Sequence, residues 1–251
     1  MCQLVSDYLQ LPFPKHSLLP IGFEAVVHGH EPVRSDYQRG VYSIRDGRDA
    51  MVSAYFFLLR SVPEGDNPTL PPRLRSLFPG LRNKADVKTN LVPFMEREFT
   101  RPRYGLHWGQ HVRSYYDVKN PRVVMLRYED LLHDGAASLA TAMAQLTESE
   151  PDIARAAAAL DRFSFSRQAQ RKAGEEDRTR FLRKGQAGDW RNHFTREAAE
   201  LFDHHAGDTL IQAGYEHDHA WVRTAGQVET PRSVEVTAVP AGAELRGGSG
   251  V

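Results

Sequence analysis

The chain has 251 residues, 41% of them hydrophobic, which suffices for one domain with a sizeable core. Its 32 Lys and Arg balance 32 Asp and Glu, so no global field draws it to nucleic acid or an acidic membrane, and any anion site must be a local cluster. The single cysteine, Cys2, allows no intramolecular disulfide and suits a reducing, cytoplasmic setting. There is no apolar run of about eighteen residues to span a membrane, and no signal-peptide pattern at the start.

Met1 to Leu11 has helical spacing, with Leu4, Val5, Tyr8 and Leu9 on one face. A loop punctuated by Pro12, Pro14 and Pro20 follows. Phe23 to Val27 predicts a short buried strand that runs into His28-Gly29-His30-Glu31-Pro32. Val41 to Ile44 predicts a second strand, Arg45 to Asp49 a tight turn, and Ala50 to Leu59 a helix with Asp46 as its N-cap. Ser61 to Pro102 has weak periodicity and predicts loops and short helices, a natural place for a variable lid.

Further on, Trp108 to Tyr116 is helical in pattern and Val123 to Tyr128 predicts a third strand. Helices are expected near Ala136–Leu146 and Pro151–Leu160, and an amphipathic one from Thr195 to Gln212, capped by Gly214. From Thr224 to Val251 the chain loses its aromatic residues, which predicts a disordered tail after a domain over 1–223. Strands alternating with helices give an α/β fold with mostly parallel strands, whose ligands bind beyond the strands' carboxyl ends. His30, Arg45 and Tyr128 each follow a predicted strand.

The richest stretch is Phe181-Leu182-Arg183-Lys184-Gly185-Gln186-Ala187-Gly188-Asp189-Trp190. Two adjacent cations supply charge and forked donors, and two glycines let backbone N–H groups approach an anion. Arg45 and Ser53 offer a second cation and a hydroxyl beside a helix N-terminus. Alone, Arg45 could instead pair with Asp49. Tyr128 and Phe165 could be core aromatics. His107 and His111 stand four apart, but no third metal ligand is evident and packing is the expected role; no metal is expected.

Taken together, these strings resemble the cytosolic-type sulfotransferase family. The Arg183 run is similar to its RKGxxGDW signature, and Val41 to Ser53 is similar to a second block in which an Arg and a Ser eight residues later bind the 3′-phosphate of 3′-phosphoadenosine 5′-phosphosulfate (PAPS). The resemblance implies a three-layer, mostly parallel sheet flanked by helices, related to P-loop NTPases. It implies transfer of a sulfuryl group from PAPS to an acceptor hydroxyl or amine. By the same resemblance, Arg45, Ser53, Phe181, Leu182, Arg183, Lys184 and Gly185 hold the nucleotide's phosphate end, and Tyr128 and Phe165 its adenine. His30 aligns with the general base of a strand-end motif; His28 stands where that motif has lysine, and Gly29 where it has a hydroxyl residue.

The family's first strand and phosphosulfate loop have no counterpart, so the chain is expected to be N-terminally truncated relative to the family. The alternative is a non-catalytic module that keeps only the 3′-phosphoadenosine pocket. A P-loop kinase ranks last, because no GxxxxGK[ST] occurs. Arg191, Thr195 and Glu200 resemble a dimerisation element of the family, with Arg196 in place of its valine, so a homodimer is not firmly implied.

Overall fold

The computed structural model describes residues 1–14 and 23–226. Two strands, β1 (Gly40–Ile44) and β2 (Val123–Arg127), pair in parallel, with Ile44 opposite Arg127. Side chains alternate across this sheet, as strand geometry requires. Val41, Val124 and Leu126 face helices α1 (Cys2–Leu9), α7 (Gly135–Thr147) and α8 (Ile153–Arg162). Tyr42, Ile44 and Met125 face α5 (Trp108–Val118) and the end of α10 (Arg196–Gln212). The result is helix, parallel sheet, helix, in three layers.

The largest core lies beside the sheet. It joins α2 (Gly47–Leu59), α4 (Val87–Thr100), a 3₁₀ turn at Asp189–Asn192, α10 and α11 (Trp221–Thr224). The remaining short helices are α3 (Pro72–Arg75), α6 (Tyr128–His133) and α9 (Phe165–Ala169). Gly47 is needed where α2 starts: a Cβ there would lie 2.4 Å from Trp108 and 2.7 Å from Phe202. Asp46 caps α2 as expected, its carboxylate accepting the Arg48 N–H at 2.9 Å.

Two expectations fail. Phe23 to Val27 is not a strand: Phe23 is 62% and Val27 65% exposed, and the Val26 N–H is bonded to Pro12 O instead of a ladder partner. A short apolar run does not specify a strand unless another strand takes its backbone groups. In the other direction, 61–102, expected to hold loops and short helices, contains the 14-residue helix α4, with Leu91, Phe94 and Met95 fully buried. Pro93 lies inside it and cannot donate to the backbone four residues earlier, which hides the helix from a pattern reading. Asp86 caps it, accepting the Thr89 N–H at 3.3 Å.

The tail expected from Thr224 lies, beyond residue 226, outside the described residues. Ala225 is still buried in the main core. Among the described residues, no helix is long and apolar enough to cross a membrane.

Candidate active site

β1 and β2 are adjacent and parallel, so Arg45 and Tyr128 leave the sheet side by side. The Arg45 guanidinium carbon stands 4.9 Å from the centroid of the Tyr128 ring. Arg45 Nη2 donates to Gln186 O at 3.0 Å and lies 3.6 Å from Asp49 Oδ2, while its Nε is buried without a partner. Glu129 braces this corner: one oxygen accepts the Asp46 N–H and the other the Tyr215 hydroxyl, each at 3.0 Å.

The Arg183 run folds onto the same corner. Asp49 accepts the backbone N–H of Gly188 at 2.6 Å and of Trp190 at 2.8 Å, pinning the loop to α2. Burial pushes the Asp49 pKa up, against lowering by Arg45 and those two N–H groups. Gly185 has φ +67°, and a Cβ there would fall 2.5 Å from the Phe165 ring, so Phe165 packs directly on this glycine.

The cations of the run are not free. Asp189, 4% exposed, accepts Arg183 Nη2 at 2.6 Å, Lys184 Nζ at 2.5 Å and Asn192 Nδ2 at 2.9 Å, with His193 Nε2 at 3.3 Å. Burial works to raise its pKa, but the hydrogen bonds from His193, Lys184, Arg183 and Asn192 outweigh it and hold the carboxyl far below the usual range. Arg183 also pairs with Glu176 through Nη1 and lies against the Phe56 ring. Leu182 is half-buried, its carbonyl bonded by Arg171. Phe181 is 76% exposed and meets Phe57 edge-on, away from the cluster. Ser53 is half-buried on α2.

The histidines form a second group. His30 stacks on Tyr104 with ring centroids 5.1 Å apart and meets His28 at 4.4 Å. His111 bridges to it: Nε2 lies 3.1 Å from the His30 carbonyl and Nδ1 lies 2.7 Å from the Tyr42 hydroxyl. A carbonyl only accepts, so Nε2 carries the proton and Nδ1 accepts from Tyr42. Burial, His30 and the N-terminal amine lower the His28 pKa despite nearby Glu31, favouring the neutral ring. A cleft of about 340 Å³ connects the groups: His30, Arg45, Met51, Ala54, Tyr104 and Trp108 are among its lining residues.

Of the residues expected to bind the nucleotide, the fold brings Arg45, Tyr128, Phe165, Arg183, Lys184 and Gly185 to one corner. The sequence reading gave no role to Asp189 or Tyr104, offered Asp49 only as a partner for Arg45, which it is at 3.6 Å, and His111 only as a packing residue. Asp49 and Asp189 sit within the very motifs that were read for their cations, and their carboxylates organise the loop.

Comparisons with known proteins agree with this architecture. A sulfotransferase domain model matches residues 30–214. A rabbit (Oryctolagus cuniculus) amine sulfotransferase is 29% identical over half of this chain and 46% of its own length. A guinea-pig (Cavia porcellus) 3-alpha-hydroxysteroid sulfotransferase is 28% identical over 65% of this chain and 53% of its own. The chain therefore spans about half the length of these relatives. In structure it resembles retinol dehydratase, solved with androsterone and the inactive cofactor PAP, with TM-score 0.51 and 22% identity over 77% of this chain and 55% of that one. With the family's model matching most of its length and its signature loop folded against the strand-end arginine, the chain belongs to the sulfotransferase domain family.

Proposed function

We propose that this corner binds the 3′-phosphoadenosine end of PAPS and that the adjoining cleft presents an acceptor hydroxyl or amine for sulfuryl transfer. The observation that carries this reading is the convergence of Arg45 with the Arg183–Gly188 loop through the Gln186 carbonyl and Asp49. Arg45 Nε, buried and unpartnered, suits a phosphate oxygen. Tyr128 and Phe165 flank the same place and suit an adenine ring. PAPS supplies the activated sulfuryl group. His30 takes the acceptor proton as the new S–O bond forms, and adenosine 3′,5′-bisphosphate departs with the broken one. The acceptor is a small molecule, and the setting is cytoplasmic.

A second reading is binding without transfer. The neutral ring favoured at His28 supports it, because only a protonated ring there would offset sulfuryl charge. Both readings require the nucleotide. Calorimetry should show adenosine 3′,5′-bisphosphate binding well ahead of adenosine 5′-monophosphate. Arg45→Ala should weaken the bisphosphate by about 2 kcal/mol, roughly thirtyfold. Equal affinity for the two nucleotides, or an unchanged value in Arg45→Ala, would remove the assignment. Assaying the same protein for transfer from PAPS then separates the two readings.

A further inference from the structure

Glu98, in the last turns of α4, lines the same cleft as His30 and Arg45, although its side chain is only 10% exposed. Its Oε2 accepts the Arg103 Nε–H at 2.9 Å. Its Oε1 is buried and has no hydrogen-bond partner. His107, which precedes α5, lines the cleft too, but its side chain is engaged in a capping box with Gln110 at the start of that helix. Buried polar atoms are nearly always paired, so the orphaned Glu98 Oε1 in the lining of a cleft points to a missing donor. Apolar Met51, Ala54, Leu106 and Trp108 line the cleft too, together with the cations Arg45 and Arg103.

Contacts link Glu98 to His30. Tyr104 stacks on His30, and the Arg103 guanidinium carbon lies 5.8 Å from the Tyr104 ring centroid while its Nε holds Glu98. One ring and one guanidinium thus connect His30 to Glu98 in the lining of the same cleft.

We infer that the cleft selects a hydroxyl acceptor bearing an aliphatic ammonium group, which donates to Glu98 Oε1. This rests on the proposal that the cleft is the acceptor site. A carboxylate oxygen is the strongest acceptor available to an ammonium. His107, elsewhere in the lining, adds no opposing charge: burial, with His205 and Arg113 nearby, lowers its pKa to about 4, so its ring stays neutral. Arg103 is the internal competitor, because it already offsets the Glu98 charge.

The test uses 4-(aminomethyl)phenol and its neutral isostere 4-ethylphenol, titrated calorimetrically with saturating adenosine 3′,5′-bisphosphate. The aminomethyl probe should bind about tenfold tighter, the scale of one charge-assisted bond. Glu98→Gln should bring the two within about twofold, and Arg103→Met should widen the gap by freeing the carboxylate. Equal affinities in the wild type, or a preference that survives Glu98→Gln, would overturn the inference. Should Glu98→Gln fail to fold, a preference unmoved by Arg103→Met overturns it. If neither phenol binds while the bisphosphate does, both the inference and the acceptor role of the cleft fall, and the nucleotide corner stands. If the bisphosphate does not bind either, the proposed function itself fails.

Discussion

At the Arg183 end of the site, Arg183 and Lys184 are both held by carboxylates. Asp189 gathers Arg183 and Lys184, Asp49 ties the loop backbone to α2, and both acids are buried. At the His30 end, residues 23–31 belong to no helix or strand, and His30 is tied by one backbone contact to His111 and by ring stacking. A corner that must meet a fixed phosphate is preformed, whereas the end that must admit different acceptors is lightly tethered. Rigidity here is bought with internal ion pairs.

The comparison makes its sharpest claim about chemistry. His30→Ala should cut sulfuryl transfer from PAPS by about 10²–10⁴-fold while bisphosphate affinity changes less than about twofold, because the two ends are built separately. A matching loss of nucleotide binding would show that they are one unit. Next in size is Asp189→Ala, which leaves a buried guanidinium with a single carboxylate partner. It should cost about 3–5 kcal/mol in urea unfolding. A loss near zero would mean that the Arg183 loop is not held as described.

Acid tests the same carboxylate. The folded pKa of Asp189 is depressed, so its stabilisation is fully present above the ordinary value of 3.8 and is lost as pH falls toward the folded value. Between roughly pH 5 and pH 2 the wild type should lose more stability than Asp189→Ala. Parallel curves would count against the depressed pKa. The smallest effect belongs to the lighter end. Ser114 Oγ accepts the Val33 N–H at 3.1 Å, one of the few bonds anchoring the chain after His30. Ser114→Ala should speed amide exchange at Val33 about fivefold, worth roughly 1 kcal/mol, with little effect at the Arg183 loop.

How much of this was legible beforehand divides along the same line. The Arg183 run and the Arg45 turn are local strings whose backbone requirements are written in glycine and aspartate, so their convergence could be anticipated. The strand proposed at Phe23 depended on a partner strand that no local pattern reveals. Helix α4 was hidden by Pro93, whose cost is outweighed by burying Leu91, Phe94, Met95 and Phe99, each worth about 1.5–3 kcal/mol. Glu98 went unnoticed with it. The roles of Asp49 and Asp189 were missed because a basic motif draws attention to its cations, while the acids that orient them become visible only in three dimensions.

The placement of the three tryptophans has an optical consequence. Trp190 and Trp221 are buried with ring centroids 5.6 Å apart, and the Arg48 guanidinium lies 3.9 Å from one ring and 4.7 Å from the other. Trp108 stands apart from that pair, in the cleft lining, with its indole N–H bonded to the Arg45 carbonyl at 3.0 Å. The chain therefore carries one intrinsic fluorophore at its site and two in its core. Subtracting the emission of Trp108→Phe from that of the wild type isolates the cleft signal, so a ligand can be followed there without an attached dye, while the remaining emission reports whether the core is intact.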